Sequence, residues 1–302
     1  LLFGKTILFC EPGENSIADI ESPMNKPAPR LGLIAGGGTF PSLVAQNAHE
    51  QGFEVIGAGF VGDTAQETPS STHTFTWLKL GQLGGLIRFF KKHNVSQVVF
   101  AGPINKPRAL NIRPDLRAAR ILLSLAYKSD DSLLRAVARE FEKEGMEVVS
   151  ATRFVPELAM PRGVLTRRPP NQRELKDILY ARPIAKTLGR LDIGQCLVVR
   201  EQMTVAVEGI EGTNATILRA GTLAKKGCVV VKIFKPGQDD RLDLPAIGPE
   251  TIQSMITAQA TCLAVDALNS LLFSPQETLD LADRHKIAIL GMDDSLLNEL
   301  AS

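Results

Sequence analysis

The sequence predicts an α/β protein of two domains, an N-terminal Rossmann-like open sheet and a C-terminal mixed α/β domain, with a ligand held between them. Three observations lead there. The chain has 302 residues, about twice the usual ~150-residue domain. Strand-length apolar runs alternate with helical stretches through both halves. Residues 156–171, PELAMPRGVLTRRPPN, hold four prolines and no periodic face, which reads as a linker.

Taken in order, residues 1–29 are expected to be an N-terminal extension without an assigned function. LLFGKTILFC is short, is interrupted by Lys5, and leads into EPGENS, so it makes a poor secretory signal. The domain at 30–156 then opens with strand RLGLIA, turn GGGTFP, helix PSLVAQNAHEQG and strand FEVIGAGF, a βαβ unit. THTFTWL alternates as a strand, GLIRFFKKH reads as helix, and QVVFAG ends on Gly102. Asp130 and Asp131 are expected to cap the helix SLLRAVAREFEKEG, with Gly145 closing it before strand MEVVSA.

The second domain, 161–302, carries helix RELKDILYARPIAKTLG and hairpin-like strands CLVVR and MTVAVEGI. A helix near NATILRAGTLAKKG, strand CVVVKIF and helix PETIQSMITA follow. SPQETLDLADRH has the spacing of a capping box, with Ser274 as cap, Pro275 at the first position and Glu277 at the third, before strand KIAILG.

Composition excludes several classes. Lys+Arg 34 against Asp+Glu 33 gives a net charge of +1, which supplies no broad field for a nucleic-acid backbone, so no nucleic-acid partner is expected. The four cysteines never form CxxC and the four histidines form neither HxH nor HxxxH, so a zinc site is disfavoured and any metal is expected on oxygen ligands. The cysteine usage suits a reducing cytoplasm. No window approaches the ~20 apolar residues that span a bilayer.

Candidate chemistry concentrates in a few places. Gly37, Gly38 and Thr39 lie between a strand and a helix, where backbone N–H groups can cradle phosphate or ribose oxygens. Pro41 stands where a dinucleotide fingerprint has its third glycine, so a nicotinamide-dependent oxidoreductase remains a weaker alternative. Asn105 follows a predicted central strand at the same sheet edge, and Asp130 or Asp131 could bind sugar hydroxyls or a cation as well as cap. In CVVVKIFKPGQDDRLDLPAIGPET, Lys232, Lys235, Gln238 and Arg241 can neutralise or bond phosphate oxygens, while Asp243 or Asp239 orients water or holds Mg²⁺. If strand geometry persisted there, Arg241 and Asp243 would share a face. Gln195, Glu211 and Thr213 sit in glycine-punctuated turns that suit polar recognition. Glu208, an acid in an apolar strand, calls for a cation or metal partner.

LGLIAGGGTFP, KSDDSLLRAVAREFEKEG, LDIGQ, VEGIEGTN and KPGQDDRLDLPAIGPET recur in this order over roughly residues 30–295. Together they resemble the UDP-2,3-diacylglucosamine pyrophosphatase family of the LpxI type. The resemblance implies a Mg²⁺-dependent hydrolase that cuts the diphosphate of UDP-2,3-diacylglucosamine to UMP and 2,3-diacylglucosamine 1-phosphate, lipid X, in lipid A biosynthesis. It also implies that Asp243 is the catalytic carboxylate, that the enzyme is cytoplasmic with transient inner-membrane surface contact, and that a homodimer is reasonable. Family members typically read EGTD where this chain has Asn214. That departure leaves open a catalytically weakened nucleotide-sugar-lipid binding protein.

Overall fold

Short apolar runs between glycine turns give the first sheet its strands, and the computed structural model describes residues 28–104, 114–124 and 130–301. In the N-terminal half the strands are β1 (Arg30–Ala35), β2 (Glu54–Phe60), β3 (Thr74–Leu78), β4 (Gln97–Ala101) and β5 (Glu147–Val149). They pair in parallel in the order β3-β2-β1-β4-β5. Helices α1 (Phe40–Glu50), α2 (Leu83–Lys92), α3 (Leu116–Ser124) and α4 (Asp130–Lys143) accompany them. Phe90 and Phe141 fill one face of the sheet and Val44, Ala45 and Phe154 the other.

The strand order reverses between β1 and β4, and the turns after these two strands meet there. Gly36 N–H donates to Ala101 O at 2.7 Å and Gly37 N–H to Pro103 O at 2.7 Å. A Cβ on Gly36 would lie 2.3 Å from Gly102 O, so only glycine permits this approach. Crevices at such reversals are where open α/β sheets hold ligands.

The C-terminal half adds β6 (Gly163–Val164), α5 (Gln172–Arg190), β7 (Cys196–Arg200), β8 (Met203–Val207), α6 (Thr213–Ala224) and β9 (Val229–Lys232). It continues with β10 (Ala246–Ile247), α7 (Pro249–Thr257), β11 (Cys262–Asp266), β12 (Leu271–Leu272), α8 (Pro275–Arg284), β13 (Ala288–Met292) and α9 (Asp294–Ala301). Its main sheet runs β6-β13-β11-β9-β7-β8, with β9, β11 and β13 parallel and the outer pairings antiparallel. Val229, Val230 and Val231 are buried on both faces, hence the unbroken apolar run.

Several expectations change at the level of caps and loops. Asp131 lies inside α4 and pairs with Arg135 at 2.8 Å instead of capping. Ser274 adopts φ 43°, and its side chain makes no capping bond, so the capping box expected there does not form. A capping box does form where the linker was read: Asn171 accepts from Glu174 N–H at 3.0 Å and Glu174 accepts from Asn171 N–H at 2.8 Å. The same linker supplies the edge strand β6. Strand geometry ends at Lys232, so Arg241 and Asp243 share no strand face.

The two halves are joined by the pair β10–β12 and its flanks. Leu242 packs with Phe90 and Phe141, while Leu244, Ala246, Leu271 and Phe273 pack with Leu31, Leu33 and Val44. Alternation across Leu242-Asp243-Leu244 therefore anchors two leucines in the N-terminal core and leaves the carboxylate between them exposed. Among the described residues no helix is long and apolar enough to cross a membrane.

Candidate functional site

A cavity of about 700 Å³ lies where the two halves meet, within the range usual for small-molecule sites. Gly37, Gly38, Thr39 and Phe40 line it from the N-terminal half. Glu211, Thr213, Asn214, Lys232, Arg241 and Asp243 line it from the C-terminal half.

Four helices begin at this cavity. Thr39 precedes α1, Gly212 precedes α6, Gly248 precedes α7 and Ser274 precedes α8, and all four residues line the wall. None of the four helices has a side-chain cap at its start. The first turn of a helix leaves backbone N–H groups unpaired and carries a partial positive charge. Pro41, Pro249 and Pro275 each remove one donor, leaving the other first-turn amides.

Lys232 stands among these termini at the end of β9 and is 5 % exposed. Its Nζ donates to Ala246 O at 2.7 Å and has no carboxylate partner within ion-pair distance among the described residues. A buried ammonium with one carbonyl acceptor is under-compensated, so the space beside Lys232 favours an anion, while Glu211, Asp240, Asp243 and Glu250 bring carboxylates to the same lining. Asp243 faces the same space, its Oδ2 accepting from Gln238 Nε2 at 3.1 Å. Apolar side chains also line the cavity, Phe40, Leu244, Leu271 and Phe273 from one core cluster and Phe100 from the other, with the Phe40 and Phe273 rings edge-on at 5.0 Å.

Other candidates are placed elsewhere or are already engaged. Arg241 lines the cavity, but its guanidinium bonds both oxygens of Asp239, at 2.9 and 2.7 Å, and Glu142 at 2.9 Å. The Asp239 carboxyl is held below its usual range, chiefly by the bond from Arg241. Glu211 is fixed by Arg219 at 2.6 Å, and bonds from backbone N–H groups and Arg219 also lower its carboxyl. Glu208 is buried beneath the turn before α6, accepting from Thr213 Oγ1 at 3.0 Å and from Gln195 N–H at 3.2 Å. Thr213 thus links this acid to the cavity wall, whereas Gln195 acts through its backbone. Lys235, Asp131 and Gln238 line a second, smaller cavity. Asn105 and the side chain of Asp130 lie outside the described residues.

The three acids expected to hold metal, Asp243, Asp239 and Glu208, do not converge: no cluster of three His, Cys, Asp or Glu suited to a metal occurs among the described residues. Asp239 and Glu208 are engaged as above, and neither lines the cavity. Mg²⁺ nonetheless needs no all-protein cage, since it commonly takes one or two carboxylates plus substrate phosphates. The exposed Asp243 carboxylate, with Asp240 on the same wall, fits that limited role.

Reasoning from sequence missed the convergence of four helix starts, the Phe40–Phe273 pair on the cavity lining and a clamp behind the lysine turn. In that clamp Asp266, at the end of β11, accepts from Lys186 Nζ at 2.5 Å and Phe234 N–H at 2.9 Å. Lys186 also donates to Phe234 O at 2.9 Å. The signal was an apolar run, CLAVD, ending in an acid.

Fold and site together define a two-domain α/β protein whose cleft presents four helix starts and a buried lysine beside several carboxylates, with apolar side chains completing the lining. Residues 30–158 match the LpxI N-terminal domain and residues 161–290 the LpxI C-terminal domain. A Caulobacter vibrioides protein, UDP-2,3-diacylglucosamine pyrophosphatase LpxI, is 34 % identical over 278 residues, covering 87 % of this chain and 98 % of that one. The chain belongs to the LpxI family. Among solved structures, CobK precorrin-6A reductase overlaps 88 % of each chain at 14 % identity and a TM-score of 0.33. Phosphoribosylglycinamide synthetase from Anaerococcus prevotii overlaps 63 % of this chain and 34 % of its own at 10 % identity and a TM-score of 0.25. Overlaps this loose bear on neither substrate nor chemistry.

Proposed function

We propose that the chain hydrolyses the diphosphate of UDP-2,3-diacylglucosamine, the substrate that the name of its Caulobacter relative carries, and that it yields UMP and 2,3-diacylglucosamine 1-phosphate in lipid A biosynthesis. The observation that carries the reading is the convergence of four uncapped helix starts on the buried Lys232 ammonium. Such a wall suits a diphosphate, because preformed N–H donors and a fixed cation stabilise charge that builds on phosphate oxygens during attack. The apolar part of the lining around Phe40, Leu271 and Phe273 suits the acyl chains.

Asp243 is the catalytic carboxylate. Its position between two anchored leucines holds it at the cavity, and a carboxylate there can orient a water and accept its proton as the new P–O bond forms. Bound Mg²⁺, held by Asp243 and the substrate phosphates, would supply further neutralisation of phosphate charge. Thr213 and the Gly37–Thr39 turn supply polar contacts for the nucleotide or sugar. The acylated substrate calls for transient contact with the inner-membrane surface, from the cytoplasmic side, and a homodimer remains the proposed assembly.

Asn214 favours a second reading. It lines the cavity in the first turn of α6 with an amide where the family pattern implies an acid, which suits a protein that binds the substrate and turns it over weakly or not at all. Incubating the purified chain with UDP-2,3-diacylglucosamine and following both products by mass spectrometry separates the readings. Equimolar release supports hydrolysis; retention of intact substrate supports binding alone.

A further inference from the structure

A second cavity, of about 370 Å³, lies between α4 and two turns of the C-terminal half. Asp131, Arg135 and Arg139 recur four residues apart on α4 and therefore share the face that lines it. Arg190, Asp192, Lys235 and Gln238 line the opposite side. Gly189 makes that side possible: a Cβ there would lie 3.0 Å from Ile233 Cδ1 and 3.3 Å from Lys235 Cγ, so glycine lets the end of α5 abut the lysine turn.

Charge is unbalanced in this space. Lys235 pairs with Asp192 at 2.5 Å and Arg135 with Asp131 at 2.8 Å. Arg139 makes no ion pair, and Arg190 bonds only Thr187 Oγ1, at 2.8 Å, among the described residues. Among the described lining residues four cations, Arg135, Arg139, Arg190 and Lys235, thus stand against two carboxylates, Asp131 and Asp192, with the Asp239 carboxylate also acting on Arg135. Arg135 also donates to Gly237 O across the gap, so the cations of the two halves are already held facing one another.

We propose that this cavity is a binding site for a phosphate dianion, separate from the Lys232 cavity, held by Arg139 from the N-terminal half and Arg190 from the C-terminal half. Arg139 and Arg190, the two lining cations without an ion pair among the described residues, suit a phosphate dianion, and guanidinium forks match its oxygens. The site reports to the first cavity through one side chain: Gln238 Oε1 accepts from Lys235 N–H at 3.2 Å and its Nε2 donates to Asp243 Oδ2. Phosphate here would bridge the two halves and steady the carboxylate.

Calorimetric titration of the full chain with inorganic phosphate, at constant ionic strength and without substrate, tests this. Saturable binding should survive Lys232→Met and weaken about tenfold or more in Arg139→Ala/Arg190→Ala, whose melting temperature should stay near wild type. Titration with glucose 1-phosphate in parallel distinguishes the sources: a clear preference for it assigns the site to phosphomonoesters, and equal or weaker binding assigns it to free phosphate. Absence of binding to the wild type, undiminished binding to the double variant, or complete loss in Lys232→Met would overturn the proposal. No turnover enters the measurement, so the hydrolase reading stands or falls separately.

Discussion

Replacing Lys232 by Met removes one charge and little volume, and the structure sets the size of the effect. Lys232 is 5 % exposed, and its ammonium has Ala246 O as its one acceptor among the described residues. Loss of that bond costs about 1 kcal/mol, but the substitution also removes an under-compensated buried charge whose desolvation costs several kcal/mol. Fold stability should therefore hold or rise. Substrate loses more, because a phosphate oxygen that met a partly desolvated cation now meets a thioether. A charge-assisted bond of this kind is worth about 3 kcal/mol, so kcat/KM should drop roughly a hundredfold. Initial rates of UMP release, with a melting curve on the same preparation, decide it. A folded Lys232→Met variant within threefold of wild type would refute the claim that this ammonium meets the diphosphate.

Asp243→Asn should lower kcat by about a hundredfold or more while KM moves little, since the carboxylate acts in proton transfer more than in binding; a pure KM effect would assign it to binding. Gly36→Ala places a Cβ 2.3 Å from Gly102 O and 2.6 Å from Pro103 O, so backbone must separate at the strand reversal. Urea denaturation should show a loss of about 2 kcal/mol, and an unchanged midpoint would contradict the close approach. Acid sensitivity follows from Asp239, whose carboxyl is depressed chiefly by the bond from Arg241. A depressed folded pKa contributes stability above the unfolded value and loses it as pH falls through the folded one. Wild-type melting temperature should thus fall more steeply than that of Asp239→Asn below about pH 4; parallel curves would exclude the pair as a source of acid lability. Alkylation of native protein should spare Cys196 and Cys262, whose thiols burial pushes far above the usual range; labelling without unfolding would contradict their placement.

The strands of the first sheet were legible because each is a short apolar run closed by a turn residue, as in RLGLIA before Gly36 and QVVFA before Gly102. The same rule missed β11, since CLAVD follows α7 closely and a short buried run carries no period to separate strand from helix. Caps were legible as spacings and not as geometry. Asn171 and Glu174 have the spacing and form the box, whereas Ser274 and Glu277 have it and do not, because the backbone at Ser274 turns left-handed.

At the site, residue chemistry was readable and partnership was not. Lys232 and Arg241 look alike in sequence as cations near a strand end. Tertiary packing leaves Lys232 without a carboxylate partner among the described residues and clamps Arg241 between Asp239 and Glu142. Lys235, three residues from Lys232, faces a different cavity. The convergence of four helix starts joins residues from Gly37 to Ser274, and no local pattern encodes it.

The most direct test of the central claim is UMP release from UDP-2,3-diacylglucosamine, measured on wild type and Asp243→Ala in parallel, each with Mg²⁺ and with chelator. The account predicts metal-dependent release by the wild type and none from a folded Asp243→Ala variant. A folded wild type that releases no UMP, or an Asp243→Ala variant that releases it at the wild-type rate, would contradict it.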